Sequence, residues 1–124
     1  MIHLTVVDDD DDDIDFFKEA LSKIQLVEVV HHRDGIGLLA LLRKQAIMTD
    51  AIVMELHLPI QGGYDTLLEL KKTPDLNYIP VIILTSSILQ EQQCLRAGCA
   101  QYFIKPNTLE EYRLLAAGIL NDLA

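Results

Sequence analysis

Five short apolar segments limit the folds open to this chain more than any other feature. Each has about the length of a strand, is rich in Val and Ile, and is bounded by turn or polar residues. These predicted strands are residues 4–7, 26–30, 51–54, 81–84 and 102–104. The middle segments are apolar at successive positions, a pattern that indicates strands covered on both faces.

The segments between the strands have the spacing of amphipathic helices. In the first, Ile14, Phe17, Leu21 and Ile24 follow one another at steps of three or four residues. Further helices are predicted around 38–42 and over 64–72, 88–97 and 109–123. Ser87-x-x-Gln90 and Thr108-x-x-Glu111 read as capping boxes for the last two. The apolar stripe of the fourth helix, Ile88, Leu89, Leu95 and Ala97, is interpreted mainly as core.

A strand–helix unit repeated five times predicts an α/β fold with a parallel sheet and helices on both faces. We expect a flavodoxin-like three-layer sandwich with five helices and the strand order 2-1-3-4-5. The 124 residues fit one domain, so we expect a single domain over 1–124 without an output domain. In this architecture a ligand binds beyond the carboxyl ends of the strands, near the first and third.

Charge and composition exclude several classes of protein. The chain carries 19 acidic and 10 basic residues, a formal charge of −9, which disfavours binding to nucleic acid. Its apolar runs are too short to span a membrane, and the N-terminus lacks the pattern of a signal peptide. We therefore expect a cytoplasmic protein. The spacing of Cys94 and Cys99 predicts two buried thiols rather than a zinc or redox motif.

Chemically distinctive residues follow four of the five predicted strands. Asp8 and Asp9 follow the first, Glu55 the third, Thr85 the fourth and Lys105 the fifth. Three carboxylates at one edge of a sheet repel one another, and both an ammonium group and a hard divalent cation, Mg²⁺ most plausibly, relieve that repulsion. A metal, an ammonium and a hydroxyl together suit the oxygens of a phosphoryl group.

Two neighbouring sets of residues receive a structural interpretation. The acidic run Asp10–Asp13 begins the first helix, where carboxylates cap free amides and complement the helix dipole. His31 and His32 follow the second strand, which lies at the edge of the predicted sheet. We expect this position to hold both histidines away from the pocket.

Four motifs carry a resemblance to a known family: VVDD at 6–9, VMELHLP at 53–59, ILTSS at 83–87 and YFIKP at 102–106. In this order and spacing they resemble the receiver domain of bacterial two-component response regulators, over essentially the whole chain. The resemblance implies a signalling module rather than an enzyme. Its partner would be a sensor histidine kinase or another signalling protein, with no role for nucleic acid or membrane.

The resemblance also implies roles for individual residues. Asp8, Asp9, the phosphoacceptor position and the backbone carbonyl of His57 would bind Mg²⁺. Thr85 would be the switch hydroxyl and Tyr102 the aromatic switch residue. Lys105 would contact the phosphoryl group, with a cis bond into Pro106 as is frequent in the family. The surface around the fourth strand, fourth helix and fifth strand would bind partners.

One position departs from the family pattern, because Glu55 stands where the family has its phospho-accepting aspartate. The extra methylene moves the carboxylate by roughly 1.5 Å, which disfavours in-line attack on a donor. We therefore expect an atypical receiver, either a permanent mimic of the active state or an inactive acceptor. The alternatives are a conventional receiver phosphorylated on Glu55 or a neighbouring aspartate, and less favoured, a Mg²⁺-dependent phosphatase or an FMN-binding relative.

Overall fold

Strands and helices alternate along the whole of the computed structural model, which describes residues 1–24, 27–44 and 48–123. The strands are Ile2–Val7 (β1), Val27–His32 (β2), Ala51–Met54 (β3), Val81–Thr85 (β4) and Gln101–Ile104 (β5). The helices are Asp11–Leu21 (α1), Gly35–Arg43 (α2), Gly63–Lys72 (α3), Glu91–Ala97 (α4) and Leu109–Leu123 (α5). The alternation predicted from the sequence is confirmed.

The five strands form one parallel sheet in the order β2-β1-β3-β4-β5, as predicted. Side chains alternate between its two faces, so each face has its own hydrophobic cluster. Val7, Met54 and Ile83 point to the cluster formed with α2, α3 and α4. Val6 and Val53 point to the cluster formed with α1 and α5. This double coverage explains why the central strands are apolar at successive positions.

Four strand boundaries differ from those predicted. β1 begins at Ile2, two residues early, β4 ends at Thr85, one residue late, and β5 begins at Gln101, one residue early. β2 extends to His32, so the two histidines end this strand rather than follow it. Leu26, predicted as its first residue, lies outside the described residues. Pairing across the full length of β1 accounts for the longer β2, because Val7 is aligned with His32.

The prediction for the start of α4 was wrong. The helix begins at Glu91, and its N-cap, Gln90, makes no side-chain capping bond. The Ser87 hydroxyl accepts a hydrogen bond from the Leu89 amide at 3.3 Å and so closes a local turn instead. Ile88 and Leu89 therefore stay in a loop with 70% and 88% of their surface exposed, and Leu95 is also exposed. The interpretation of this stripe as core was wrong for these three residues.

The other helix ends follow their sequence signals. Thr108 accepts a hydrogen bond from the Glu111 amide at 3.1 Å, which confirms the predicted cap of α5. Asp10 caps α1 by accepting from the amides of Asp12 and Asp13. α4 ends at Ala97 and is capped by Gly98, whose φ of 106° is a left-handed conformation that glycine adopts without strain. Cys94 and Cys99 are buried free thiols, as predicted.

Within residues 1–24, 27–44 and 48–123, no helix is both long enough and apolar enough to cross a bilayer.

Candidate functional site

Lys105 lies at the centre of a cluster of carboxylates at the carboxyl edge of the sheet. Its ammonium nitrogen is 2.6 Å from an oxygen of Asp13, 2.9 Å from one of Asp8 and 3.4 Å from one of Glu55. An ammonium group has three N–H donors, one for each carboxylate. The lysine side chain is only 12% exposed, so solvent screens these interactions little. The ammonium is thus the cation that holds the three acids together.

The sheet fixes the backbone of each residue that carries this cluster. The Asp8 amide donates to the carbonyl of His32 at 3.0 Å, and the Glu55 amide donates to that of Val7 at 2.9 Å. The Lys105 amide donates to the carbonyl of Thr85 at 2.8 Å. These bonds extend the parallel pairing one residue beyond the strands. The side chains therefore start from positions set by the core, as expected at the carboxyl edge of an α/β sheet.

Glu55 turns back on its own backbone. One carboxylate oxygen accepts a hydrogen bond from the Leu56 amide at 2.8 Å, while the other faces Lys105. The residue is only 6% exposed. Each oxygen of the Glu55 carboxylate therefore faces a group of this chain in a largely buried site.

The loop after β3 is tightly constrained. Gly63 packs against the Glu55 backbone, and its amide donates to the Leu56 carbonyl at 2.8 Å. Ile60 has a φ of 69°, a left-handed conformation that β-branched residues rarely adopt, and it is 87% exposed. Backbone strain of this kind is retained where the surrounding structure imposes it.

Asp8, the residue that follows β1, is almost completely buried. One of its oxygens accepts from the Asp10 amide at 3.0 Å, and the other pairs with Lys105. Burial raises the pKa of Asp8 above its usual value, and the charge of Glu55 acts in the same direction. The hydrogen bonds from Asp10 and Lys105 oppose this increase without cancelling it. The raised pKa of Asp8 is therefore mainly a consequence of its burial, with a smaller contribution from the charge of Glu55.

Burial alone would lower the pKa of Lys105, since it disfavours an isolated ammonium ion. The hydrogen bonds to Asp13 and Asp8 and the charge of Glu55 outweigh burial, and the pKa is raised. Lys105 is therefore protonated at neutral pH.

The side chain of Asp9, a predicted metal ligand, does not join this cluster. It is exposed, and the Asp9 backbone carbonyl accepts from Arg33 at 3.0 Å. The His57 side chain is exposed as well; the prediction for His57 concerned its backbone carbonyl and stays a prediction. Within residues 1–24, 27–44 and 48–123, no three acidic, histidine or cysteine side chains are arranged to hold a metal ion. With Lys105 bound to Asp8 and Glu55, the side chains do not fit a divalent cation without rearrangement.

Thr85 and Tyr102 lie beside the cluster. Thr85 is completely buried, and its hydroxyl accepts a long hydrogen bond of 3.5 Å from the Ser87 amide. The Tyr102 hydroxyl donates to the Ser87 carbonyl, which ties β5 to the loop before α4. The two predicted switch residues thus share one loop residue. The bond into Pro106 is trans, so the expectation of a cis bond was wrong.

Sequence reasoning missed three residues of this site. Asp13 was assigned to the dipole of α1, yet its carboxylate makes the shortest contact with Lys105. His31 was expected to point away, but its Nε2 lies 2.8 Å from the Asp8 carbonyl because β2 extends beside β1. Tyr112 of α5 is buried with its hydroxyl lacking a hydrogen-bond partner among the described residues. The only signal for Asp13 was the acidic run itself.

The sequence is similar to a known protein family over most of its length. Residues 4–117 match the family described as response regulator receiver domain. Response regulator Rcp1 of Synechocystis sp. is 31% identical over 101 residues, which cover 74% of this chain and 67% of Rcp1. Two-component response regulator ORR12 of Oryza sativa subsp. japonica is 40% identical over 57 residues, 44% of this chain. That alignment spans about half of the rice protein, 47% of its length.

Solved structures with this fold include two response regulators. The phosphorylated cyanobacterial phytochrome response regulator RcpA superposes with a TM-score of 0.88 at 31% identity, covering 95% of this chain and 90% of RcpA. The Mn²⁺-bound form of Rcp1 gives a TM-score of 0.87 at 26% identity, covering 96% of this chain and 91% of the other. One relative was thus phosphorylated and another contained a divalent metal.

Proposed function

Because this chain belongs to the response regulator receiver domain family, we propose that it is an atypical receiver that signals through protein contact without being phosphorylated. Its pathway would be a two-component system in the cytoplasm, and its partner a sensor histidine kinase or another signalling protein. Such a module needs a stable pocket and an exposed recognition surface, and it catalyses no turnover of a substrate.

The position of the Glu55 carboxylate carries this proposal. A phosphoacceptor must present a carboxylate oxygen in line with the donor, at a separation of about 3 to 3.5 Å. In Glu55 one oxygen is bonded to the Leu56 amide and the other faces Lys105. Phosphorylation would require freeing one of these oxygens in a buried site. The longer side chain instead gives Lys105 a permanent anion.

The exposed apolar residues near β4, α4 and β5 support recognition of a partner there. The group comprises Ile88, Leu89, Leu95 and Ile104, all between 42% and 88% exposed. Clustered apolar exposure of this kind is typical of interaction sites. Tyr102 connects this surface to the pocket through its bond to the Ser87 carbonyl. The surface therefore responds to the conformation of the β4–α4 loop.

Phosphorylation is tested with wild type, Glu55→Asp and Glu55→Gln. Each protein is incubated with acetyl phosphate and Mg²⁺, and its intact mass is measured. We expect no added phosphoryl mass on wild type or Glu55→Gln, and an addition on Glu55→Asp. A phosphoryl mass on wild type would overturn the proposal in favour of a conventional receiver.

Partner binding distinguishes a mimic of the active state from an inactive acceptor. Glu55→Gln keeps the shape of the side chain and removes its charge. If Glu55 acts as a mimic, wild type binds its partner and Glu55→Gln binds at least tenfold more weakly. Equal binding by both proteins would identify a module in which the carboxylate has no signalling role. The control variant Met48→Lys alters a residue that is 88% exposed and precedes β3, so partner binding should not change.

A further inference from the structure

Asp13 differs from the other acids at the start of α1. Asp11 and Asp12 are exposed, and Asp11 pairs with the exposed Arg33 at the surface. The Asp13 side chain is 28% exposed and turns inward to Lys105, at the shortest distance in the cluster. Its position therefore indicates a role in holding the ammonium group.

The hydroxyl of Tyr112 is a second and independent observation at the same place. Tyr112 is 3% exposed, and none of the described residues forms a hydrogen bond with its hydroxyl. The Tyr112 ring stacks on Phe16, which lies three residues after Asp13 and so on the same face of α1. Phenylalanine would fill the same space without a buried polar atom, so the hydroxyl requires an explanation.

The ring of Tyr112 is held in place. Phe16 of α1 stacks on it with ring centroids 5.9 Å apart and an angle of 13° between the planes. The hydroxyl can orient its proton toward an acceptor, so a hydrogen bond requires that an acceptor such as the Asp13 carboxylate turns toward it. Lys105 is a point charge on a flexible stem. The ammonium that pairs with Asp13 is thus mobile, whereas the Tyr112 ring is fixed.

We propose that Asp13 and Tyr112 position Lys105, and that the Tyr112 hydroxyl donates to the Asp13 carboxylate whenever Lys105 turns to another anion. A partly buried carboxylate that loses its cation without a replacement donor is disfavoured. The exchange reduces this penalty, so Lys105 is released to an acidic group of a partner. The role of that anion rests on the proposed function; the exchange between Lys105 and Tyr112 does not.

The test compares Tyr112→Phe in wild type and in the double variant Glu55→Gln/Lys105→Met. The double variant loses one negative and one positive charge, so the net charge of the cluster is unchanged. Stability is measured by urea unfolding. In wild type, Tyr112→Phe should leave the folding equilibrium constant unchanged or increase it, because an unpaired hydroxyl is removed. In the double variant it should reduce the constant by about fivefold, the effect of one lost hydrogen bond.

Two controls make the result specific. Adding Asp13→Ala to the double variant removes the acceptor and should abolish the effect of Tyr112→Phe. In protein with ¹³C-labelled tyrosine rings, the Cζ resonance of Tyr112 should shift in the double variant and return when Asp13→Ala is added. A second background of equal charge, Asp8→Asn/Lys105→Met, repeats the comparison and replaces the first if that one does not fold.

An equal effect of Tyr112→Phe in wild type and in both backgrounds, with an unshifted resonance, would overturn the exchange. No phosphorylation or partner is used in these measurements. Failure of the proposed function, which would be a phosphoryl mass on wild type, is therefore distinguished from failure of this inference.

Discussion

Gly63 lies so close to Glu55 that a Cβ at this glycine would be 2.2 Å from the Glu55 carbonyl oxygen. The start of α3 and the end of β3 are thereby held together at the pocket. Gly63→Ala should force this backbone apart and reduce the free energy of unfolding by about 2 kcal/mol or more.

The matched control for that change is Gly118→Ala. Gly118 lies in the exposed part of α5, with no atom within 4 Å of an added Cβ. Alanine favours a helix over glycine, so this variant should gain about 0.5–1 kcal/mol. Urea unfolding measures both. Similar effects of the two substitutions would show that the contact with Glu55 does not constrain position 63.

Ile60 should be replaceable with a gain in stability. Its left-handed backbone is unfavourable for an L-residue by about 1–2 kcal/mol, and its side chain is almost fully exposed. Asparagine tolerates this conformation, so Ile60→Asn should raise the free energy of unfolding by about 1 kcal/mol. Ile60→Val keeps the β-branch and should change little. A loss of stability in Ile60→Asn would mean that the isoleucine side chain contributes contacts that outweigh the strain.

Lys105→Met should be strongly destabilising. It leaves Asp8, Asp13 and Glu55 without their cation in a site closed to solvent, for which we expect a cost of about 3–5 kcal/mol. Lys72→Met removes an exposed lysine and should have almost no effect. Thermal unfolding at equal ionic strength gives the comparison.

Added Mg²⁺ should act differently on wild type and on Lys105→Met. In wild type the ammonium occupies the carboxylates, so EDTA and millimolar Mg²⁺ should both leave the melting temperature nearly unchanged. In Lys105→Met the same Mg²⁺ should raise the melting temperature, because the acids are then free to bind a cation. Equal stabilisation of the two proteins would contradict the view that Lys105 and a metal compete.

Stability should fall at alkaline pH through Tyr112. Burial raises its pKa from 10.0 to about 12, with the charge of Asp13 adding to the effect. Between these values the unfolded chain loses a proton that the folded protein keeps, so stability decreases as pH rises through this window. Lys105 also contributes stability that is lost as pH rises, since its pKa in the folded protein is raised as well.

The alkaline effect is measured as the urea midpoint between pH 9 and 11.5. Tyr112→Phe should make the fall less steep. Tyr78→Phe, which alters a tyrosine that is 74% exposed, should not. If both variants follow the wild-type curve, Tyr112 does not contribute to the loss of stability.

The fold was predictable because strands buried on both faces of a parallel sheet are apolar at successive positions, a pattern that is visible in the sequence. β3 and α5 have the predicted bounds, and Asp8, Glu55 and Lys105 meet because each directly follows a strand. Less was predictable where two local structures compete. Ser87 matches a capping box, yet its hydroxyl closes a shorter turn and α4 starts later.

The position of Asp13 could not be derived from local sequence. A carboxylate in the first turn of a helix is explained by the dipole alone, and the contact with Lys105 joins residues 92 positions apart. The unpaired hydroxyl of Tyr112 could not be predicted from the sequence either, because a tyrosine and a phenylalanine match the same apolar pattern on α5. Both features depend on how α1 and α5 pack on one face of the sheet.

The pairing that continues beyond the strands has a consequence for hydrogen exchange. The amides of Asp8, Glu55 and Lys105 donate to carbonyls of neighbouring strands, so they open only when the sheet itself opens. Their exchange with deuterated solvent should be as slow as that of the core. The amide of Leu89, bonded only to a nearby hydroxyl, should exchange quickly. The pocket would then combine a main chain as durable as the whole domain with side chains that rearrange on a much shorter timescale.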